Sequence, residues 1–233
     1  MANRHNFGGG LIVSCQAPES SPLRDPYAMT LMALAAQKAG AVGIRAEGAA
    51  DIVAIKRACP LPVIGIRKHR YPDSDVYITA TRHDVDIVAT AGAEIVALDA
   101  TPRPRPGGET LAEVIAYAKS RGLTVMADLT SPSEAADALA FGADYLATTL
   151  IGASSEDIRP DGPNVAALRR IVVENPGVIV VAEGRYATPE DIAAAFEAGA
   201  TTVVVGRAIT DAYALAVTLV DVTPRAQEFI VRG

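Results

Sequence analysis

Two residues with matched proton-transfer chemistry follow short apolar runs in this chain. Lys68 comes directly after Val63–Arg67, and Glu183 comes directly after Val178–Ala182. An amine and a carboxylate that flank a bound carbonyl compound suit the removal and return of a proton at the carbon next to the carbonyl. A lysine is also the residue type that attacks a carbonyl to form a Schiff base. The pair therefore indicates an enzyme, with either proton transfer or imine formation as its chemistry.

Other polar residues stand at equivalent positions after other apolar runs and predict a polar ring around this pair. In chain order they are Gln16, Arg45, Asp99, Asp128 and Thr148–Thr149. We expect Asp128 to hold the lysine amine or a substrate hydroxyl. For Asp99 and Thr148–Thr149 a structural role is favoured, because a polar residue after a strand often caps the next helix.

Glycine and arginine occur together after two of the later runs. Gly184 precedes Arg185, and Gly206 precedes Arg207. A glycine just beyond a strand lets backbone amides approach an anion closely, and an arginine adds positive charge. These four residues predict a phosphate-binding subsite. The alternative is that the glycines only form tight turns.

Eight apolar runs alternate with Ala-rich segments, and this alternation predicts the elements that position the polar ring. The runs are Leu11–Cys15, Val42–Arg45, Val63–Arg67, Ile95–Leu98, Thr124–Ala127, Asp144–Thr148, Val178–Ala182 and Thr202–Val205. Helix starts are marked by Asp25-Pro26, by Ser131 with Glu134 three residues later, and by Thr188 before a proline. Eight strands, each followed by a helix, predict an α/β fold, a (β/α)8 TIM barrel, with residues 1–233 as a single domain.

An open doubly wound sheet is the alternative architecture. Such a sheet usually has a glycine-rich loop after its first strand, whereas here that strand runs into Ser14-Cys-Gln-Ala-Pro18. In a closed barrel, strands three and seven lie opposite each other, so Lys68 and Glu183 are expected to face across the mouth. Burial near Arg45 or Arg67 would lower the pKa of the lysine, which proton removal requires.

The composition excludes several classes of function. The formal net charge is -6 and no basic stripe is present, which argues against nucleic-acid binding. The two cysteines make no disulfide framework, and no apolar run approaches the roughly 20 residues of a membrane span, so we expect no membrane partner and a cytoplasmic location. The three histidines, His5, His69 and His83, lack the spacing of metal ligands, and we expect no metal.

Taken together, the motifs resemble those of the N-acetylmannosamine-6-phosphate 2-epimerase family, bacterial enzymes of sialic-acid catabolism. The resemblance runs from about residue 9 to residue 210. It is carried by Gly10-Leu-Ile-Val-Ser-Cys-Gln16, Ile44-Arg45-Ala46, Pro62-Val-Ile-Gly-Ile-Arg-Lys68, Tyr77-Ile-Thr79, Ala97-Leu-Asp-Ala-Thr101, Met126-Ala-Asp128, Thr148-Thr-Leu150, Ala182-Glu-Gly-Arg185, Val204-Val-Gly206 and Ala208-Ile-Thr210.

The resemblance implies an isomerase that interconverts N-acetylmannosamine 6-phosphate and N-acetylglucosamine 6-phosphate. It assigns Lys68 and Glu183 as the catalytic pair and places Gln16, Arg45 and Asp128 at substrate-binding positions. It further implies a small-molecule amino-sugar phosphate as the ligand, no metal or organic cofactor, and a homodimer in which the subunits pack or exchange their last helix.

The chain departs from the family pattern in two places. The residue after the glycine of the eighth strand is usually small, and an arginine usually follows Ala-Ile-Thr; here these positions hold Arg207 and Asp211. We therefore expect Arg207 to carry the phosphate charge, with Asp211 facing away or binding Arg207 from behind. The loop that usually reads Ser-Gly-Tyr-Thr is Ile151-Gly-Ala-Ser154, which puts contacts from that loop in doubt.

Proton transfer next to a carbonyl produces an enolate that must be stabilised. With no metal expected, we predict that Asp128, Arg45 and Lys68 stabilise it electrostatically. Two other functions compete with epimerisation: a Schiff-base lyase or synthase that uses Lys68 as its nucleophile, and a non-enzymatic sensor that keeps the pocket. The presence of both Lys68 and Glu183 argues against the sensor.

Overall fold

The structure, a computed structural model, describes residue 5, residues 7–152 and residues 162–225. Eight strands, all parallel, close into a barrel in chain order, which confirms the predicted TIM barrel. The strands are β1 Leu11–Cys15, β2 Gly43–Glu47, β3 Val63–Ile66, β4 Ile95–Asp99, β5 Thr124–Asp128, β6 Tyr145–Ala147, β7 Ile179–Glu183 and β8 Thr202–Val205. Strands β3 and β7 are four positions apart in this ring and therefore lie on opposite sides of the mouth.

Helices cover the outside of the barrel between successive strands. They are α1 Pro26–Lys38, α2 Gly48–Ala58, α3 Arg82–Thr90, α4 Leu111–Ser120, α5 Ala135–Ala140, α6 Val165–Glu174, α7 Pro189–Glu197, α8 Arg207–Thr210 and α9 Ala212–Asp221. The predicted helix starts are confirmed: Asp25 caps α1, Thr188 forms a capping box with Asp191, and Ser131 forms one with Glu134. In each box the side chains satisfy amide groups that the first helical turn leaves unbonded.

Four strands extend further than the apolar runs predicted, and this is a correction. β4, β5 and β7 each include the polar residue at their end, namely Asp99, Asp128 and Glu183, and β2 continues through Arg45 to Glu47. Side chains alternate across a strand, so these residues share the inward direction of the apolar side chains two residues earlier. They form the uppermost layer of the barrel interior, where charged partners replace apolar contacts.

Below this layer the barrel is filled by apolar side chains. The interior cluster contains Ile12, Ile64, Ile66, Ile95, Ala97, Met126, Tyr145, Ala147, Val181 and Val204. The other side chains of the same strands pack outward against the helices in a second, larger cluster. The floor of the mouth is therefore solid, and ligands reach only the carboxyl ends of the strands.

The last helix lies apart from the packed layer. The principal contacts of α9 are with the four-residue helix α8. Its apolar side chains are exposed, and these are Tyr213, Leu215, Val217, Leu219 and Val220. A cavity of about 380 Å³ opens between β1 and α1, lined by Leu11, Val13, Met32, Ala36 and Ile209 among others. Among the described helices, none is long and apolar enough to cross a membrane.

Candidate active site

A single buried arginine organises the mouth of the barrel. The Arg45 side chain is 1% exposed, and its Nη1 and Nη2 donate to Oδ1 and Oδ2 of Asp128 at 3.2 and 2.6 Å. Nη1 also donates to Oε2 of Glu183 at 2.6 Å. The three residues come from β2, β5 and β7, so this ion cluster ties together strands from three parts of the ring. Two-pronged contacts of this kind fix the direction of both partners.

The cluster holds two carboxylates and only one cation. Burial raises the pKa of Glu183 to about 7, repulsion from Asp128 adds to the rise, and Arg45 opposes it. Burial disfavours the charge on Arg45, but attraction to Asp128 and Glu183 outweighs this and raises its pKa. Glu183 is thus a carboxyl group that can give or take a proton near neutral pH, which is the property required of an acid–base catalyst.

Lys68 approaches the same mouth from a short antiparallel bridge that follows β3. It pairs with Ile78, and its backbone amide donates to Oε1 of Glu47 at 3.3 Å. Among the described residues, the Nζ of Lys68 has no hydrogen-bond or ion-pair partner. Burial lowers the pKa of the amine, and the charge of Arg45 lowers it further. Solvent still reaches the side chain from the open mouth, which limits the size of this effect.

Arg67, the other arginine predicted to lower the pKa of Lys68, is not among the charges that act on its amine. Its Nε lies 3.0 Å from Oδ1 of Asp84, a buried residue of α3. The guanidinium is thus engaged on the outer side of the loop, and Arg45 is the arginine whose charge acts on Lys68.

Gln16 and the threonines at the end of β6 complete the ring. Nε2 of Gln16 donates to Oγ of Ser14 at 2.6 Å, while its Oε1 is buried without a partner. Thr149 donates to Oδ1 of Asp128 at 2.6 Å, and Thr148 exchanges two hydrogen bonds with the backbone of Glu183. Thr148 therefore has the structural role favoured from the sequence, whereas Thr149 orients a residue of the ion cluster.

Asp99, at the end of β4, is not part of the ion cluster. It is fully buried and accepts hydrogen bonds from the amide and hydroxyl of Thr101, and it also pairs with Arg103. These contacts hold the loop after β4, as the structural interpretation of Asp99 predicted.

Two adjoining cavities open above the ion cluster. Their volumes are about 960 and 230 Å³, and both are lined by Lys68, Glu183, Gln16, Thr149, Gly184 and Arg185. The smaller one reaches Arg45 and has Ile66, Ile78 and Leu150 in its wall. The larger one extends to Gly206 and Arg207. The predicted catalytic, substrate-binding and phosphate residues thus surround one connected space, with Asp128 beneath it.

Of the predicted phosphate residues, Gly184 and Arg185 line both cavities, whereas Gly206 and Arg207 line only the larger one. Gly184 has φ +106°, a backbone conformation that favours glycine, and the Nη2 of Arg185 donates to the carbonyl of Ile151 at 3.1 Å. Arg207 is 83% exposed, and its Nε donates to Oδ2 of Asp211 at 3.0 Å. The expected pairing of Asp211 with Arg207 is confirmed. Ala153 and Ser154 of the unusual loop lie outside the described residues.

Three residues of the mouth were not singled out from the sequence. Tyr77 lines the smaller cavity, and Glu47 and Arg24 line the larger one. Glu47 could have been found from its position two residues after Arg45, which places both on the same face of β2. Arg24 lies in a loop without periodicity and gave no such signal. The described residues contain no group of three or more side chains that could hold a metal ion.

The barrel and its charged mouth define a TIM-barrel protein of the class whose chemistry takes place at the carboxyl ends of the strands. The sequence profile of the family described as "Putative N-acetylmannosamine-6-phosphate epimerase" matches residues 29–223, and the chain belongs to this family.

Individual relatives agree with the family match. Two proteins described as "Putative N-acetylmannosamine-6-phosphate 2-epimerase" are each 48% identical to the chain. The one from Clostridioides difficile (strain 630) aligns over 87% of this chain and 90% of its own length, and the one from Enterobacter sp. (strain 638) over 87% of each. The solved structure of the N-acetylmannosamine-6-phosphate 2-epimerase from Clostridium perfringens superposes with a TM-score of 0.89 at 36% identity, covering 95% of this chain and 98% of that one.

The first prediction uses the raised pKa of Glu183. A carboxyl group whose pKa rises from 4.5 to about 7 on folding stabilises the folded state most below pH 4.5, and this contribution is lost as the pH rises towards 7. Glu183→Gln removes the titration. We expect the free energy of unfolding of the variant, relative to the native protein, to increase from pH 4.5 to pH 8 when measured by urea denaturation.

The exposed Glu197 offers the matched control for this experiment. Glu197→Gln makes the same chemical change away from the ion cluster, and the pH dependence of Glu183→Gln is taken relative to it. A difference for Glu183→Gln that does not change with pH relative to this control would contradict a raised pKa of Glu183.

Proposed function

We propose that this chain interconverts N-acetylmannosamine 6-phosphate and N-acetylglucosamine 6-phosphate, the activity of an N-acylglucosamine-6-phosphate 2-epimerase in amino-sugar catabolism. The observation that carries the proposal is the position of the unpaired Lys68 amine, which shares its cavities with Glu183 in a chain of this family. In this proposal Gln16 and Arg45 bind the open-chain sugar, whereas Asp128, expected from the sequence to bind substrate, is fully buried, lines neither cavity and acts by orienting Arg45. No metal or organic cofactor takes part.

The reaction needs a proton to leave C2 and return on the other face. In the open-chain sugar C1 is an aldehyde, so loss of the C2 proton leaves its electron pair in an enolate shared with the C1 oxygen. Neutral Lys68 takes this proton, and its lowered pKa increases the fraction that is neutral. The charges of Arg45 and of the resulting ammonium stabilise the enolate, while Asp128 holds Arg45 in place.

Glu183 is the partner of Lys68 in one of two ways. As an acid at the C1 oxygen, it would protonate the enolate and take that proton back when the aldehyde forms, and the Lys68 ammonium would return a proton to C2 after the enediol has turned its other face to the amine. As the acid on the opposite face, it would deliver a proton directly to C2 and complete the inversion. Its pKa of about 7 suits either task at neutral pH.

The Schiff-base alternative receives less support. A lyase would form a covalent imine between Lys68 and its substrate, whereas the relatives reported above are described as epimerases. Borohydride added with N-acetylmannosamine 6-phosphate distinguishes the two reactions, because only an imine is trapped as a permanent adduct on the lysine.

The second prediction tests the reaction and its residues. In deuterated water, N-acetylmannosamine 6-phosphate should acquire deuterium at C2 in both epimers, detected by NMR. Lys68→Ala should lower turnover by about 10²–10⁴-fold, since it removes the proton acceptor. Lys38→Ala, a change at an exposed lysine on α1, serves as the control and should leave turnover unchanged.

Glu183→Gln in the same experiment separates its two roles. If Glu183 acts on the opposite face of C2, exchange at C2 continues while epimerisation stops. If it acts at the C1 oxygen, exchange and epimerisation are lost together. Near-normal turnover in either the Lys68 or the Glu183 variant would contradict the assignment.

The phosphate group fits the far end of the larger cavity. We propose that it lies against the backbone amides at Gly184 and Gly206 and is paired with the guanidinium of Arg207, with Arg185 at the side of the same space. Arg207 is exposed and its partner Asp211 is buried at the cap of α9, so the guanidinium can turn towards an anion without unfolding the helix. Arginine suits this task because its planar group can donate two parallel hydrogen bonds.

The third prediction concerns Arg207. In the native enzyme, kcat/KM should be much higher for N-acetylmannosamine 6-phosphate than for the unphosphorylated sugar, and Arg207→Ala should reduce this ratio by about 10-fold, the loss of one charge-assisted contact. Arg169→Ala, on the outer helix α6, is the control. An unchanged ratio in Arg207→Ala would show that Arg207 is not the phosphate ligand.

The exposed last helix supports the expected homodimer. The α9 surface carries an apolar row, and the cavity between β1 and α1 is an apolar recess of about 380 Å³ on the same subunit. Contiguous exposed apolar surface of this kind marks an interface. We propose that two chains pair through α9, by packing or exchange of the helix.

The fourth prediction tests this assembly. The native chain should sediment as a dimer at micromolar concentration, and Leu219→Glu combined with Val220→Glu on α9 should shift it towards monomer, since charges would be buried in the interface. Val173→Glu places the same charge at an apolar residue of α6 that is 72% exposed, and should leave the dimer intact. A dimer that survives the α9 changes would place the interface elsewhere.

A further inference from the structure

A second ion cluster lies at the end of β2, next to the backbone of Lys68. Arg24, in the loop between β1 and α1, donates from Nη2 to Oε2 of Glu47 at 2.8 Å and from Nη1 to Oδ2 of Asp51 at 2.7 Å. Asp51 is 1% exposed and Glu47 17% exposed, whereas the remaining acidic neighbour, Glu19, is 94% exposed and 3.7 Å away. We call Arg24, Glu47 and Asp51 the Arg24 clamp.

The Arg24 clamp reaches Lys68 through Glu47. One carboxylate oxygen of Glu47 accepts from Arg24, and the other accepts the backbone amide of Lys68 at 3.3 Å. The same loop also carries Gln16 at its start, so Arg24 connects the loop that bears Gln16 to the residue that bears the amine. A guanidinium with two carboxylate partners holds both in fixed directions.

Two ion clusters neighbour Lys68. The Arg24 clamp has one cation and two carboxylates, and so has the cluster of Arg45 with Asp128 and Glu183. Each cluster carries one surplus negative charge when fully ionised. Arg45, Glu47, Asp128 and Glu183 all act on its charge, and Arg185 and Tyr77 line the cavities beside it.

We propose that Glu47, held by Arg24, is a positioning residue that fixes the backbone of Lys68 and supplies the counter-charge for its ammonium form. The inference rests on the proposed function, in which Lys68 becomes an ammonium when it takes the C2 proton. As long as Glu183 still holds its own proton as the acid, it supplies no counter-charge to that ammonium, and its pKa of about 7 allows it to hold this proton near neutral pH. Glu47, held by its ion pair with Arg24 and by the Lys68 amide, supplies the counter-charge at that step.

The charge of Glu47 can be measured on the free protein without any substrate. Competitive acetylation of Lys68 over a range of pH, quantified by mass spectrometry, gives the midpoint at which the amine loses its proton. Glu47→Gln keeps the shape of the side chain and an acceptor for the Lys68 amide but removes the charge. We expect its midpoint to lie below that of the native protein, because a charge that favours the ammonium has gone.

Arg24→Gln supplies the opposite change. It removes the cation that offsets Glu47, so the midpoint of Lys68 should lie above the native value. Glu19→Gln, which removes an exposed charge near the same arginine, should leave the midpoint unchanged. If the substitutions only distorted the mouth, the midpoint of Lys68 would shift in the same direction in Glu47→Gln and Arg24→Gln. An effect of charge shifts the two midpoints in opposite directions.

Turnover provides a second readout. Glu47→Gln should lower kcat by roughly 10-fold, a part of the effect expected for losing the acid–base group itself, with little change in KM. An unchanged Lys68 midpoint in Glu47→Gln, or shifts of the same sign in the two clamp variants, would overturn the inference. The native protein could instead fail to epimerise the sugar while the two variants still shift the midpoint of Lys68 in opposite directions. That result would contradict the proposed function, but it would support the effect of Glu47 and Arg24 on the charge of Lys68.

Discussion

The structure of the mouth depends on the burial of one guanidinium. Arg45 lies inside the top of the barrel at 1% exposure and is acceptable there because Asp128 and Glu183 surround it. Removing one member of such a buried set typically costs about 3–5 kcal/mol, since the remaining charges lose their compensation. Burial within this set and the charge of Asp128 raise the pKa of Glu183, and the contact with Arg45 opposes the rise.

This arrangement gives the two proton-carrying groups different environments. Glu183 is held by its contact with Arg45, whereas the recorded contact of Lys68, among the residues that the structure describes, is made by its backbone amide. The carboxyl group keeps its proton more readily than an exposed glutamate does, and the amine loses its proton more readily than an exposed lysine does. Both shifts bring the groups closer to neutral pH, where each can exchange a proton with a substrate.

The sequence predicts the barrel well because its signals are local. Apolar runs of four or five residues and capping pairs such as Ser131 with Glu134 are read within one element, and the structure confirms the barrel and that capping box. Polar strand ends are less well predicted. The apolar runs end one residue before each carboxylate and therefore predict Asp128 and Glu183 just after β5 and β7. In the structure they are the last inward-facing residues of those strands.

Contacts between distant polar residues were harder to predict. Opposite strand positions correctly placed Lys68 and Glu183 around one space, but not the pairing of Glu183 with Arg45, which depends on how far each side chain reaches across the barrel. The Arg24 clamp joins a loop to a strand end, and no periodic pattern marks either side of it. Such contacts are determined by the closed ring and not by any single segment.

The most direct test of the account is a crystal structure of the protein with N-acetylglucosamine 6-phosphate bound. The account predicts the Nζ of Lys68 about 3–3.5 Å from C2, the separation needed for proton transfer, with the Glu183 carboxyl beside C2 or the C1 oxygen and the phosphate at the Gly206 end of the larger cavity. A sugar bound with C2 out of reach of Lys68, or with its phosphate over the Arg45 cluster, would contradict it.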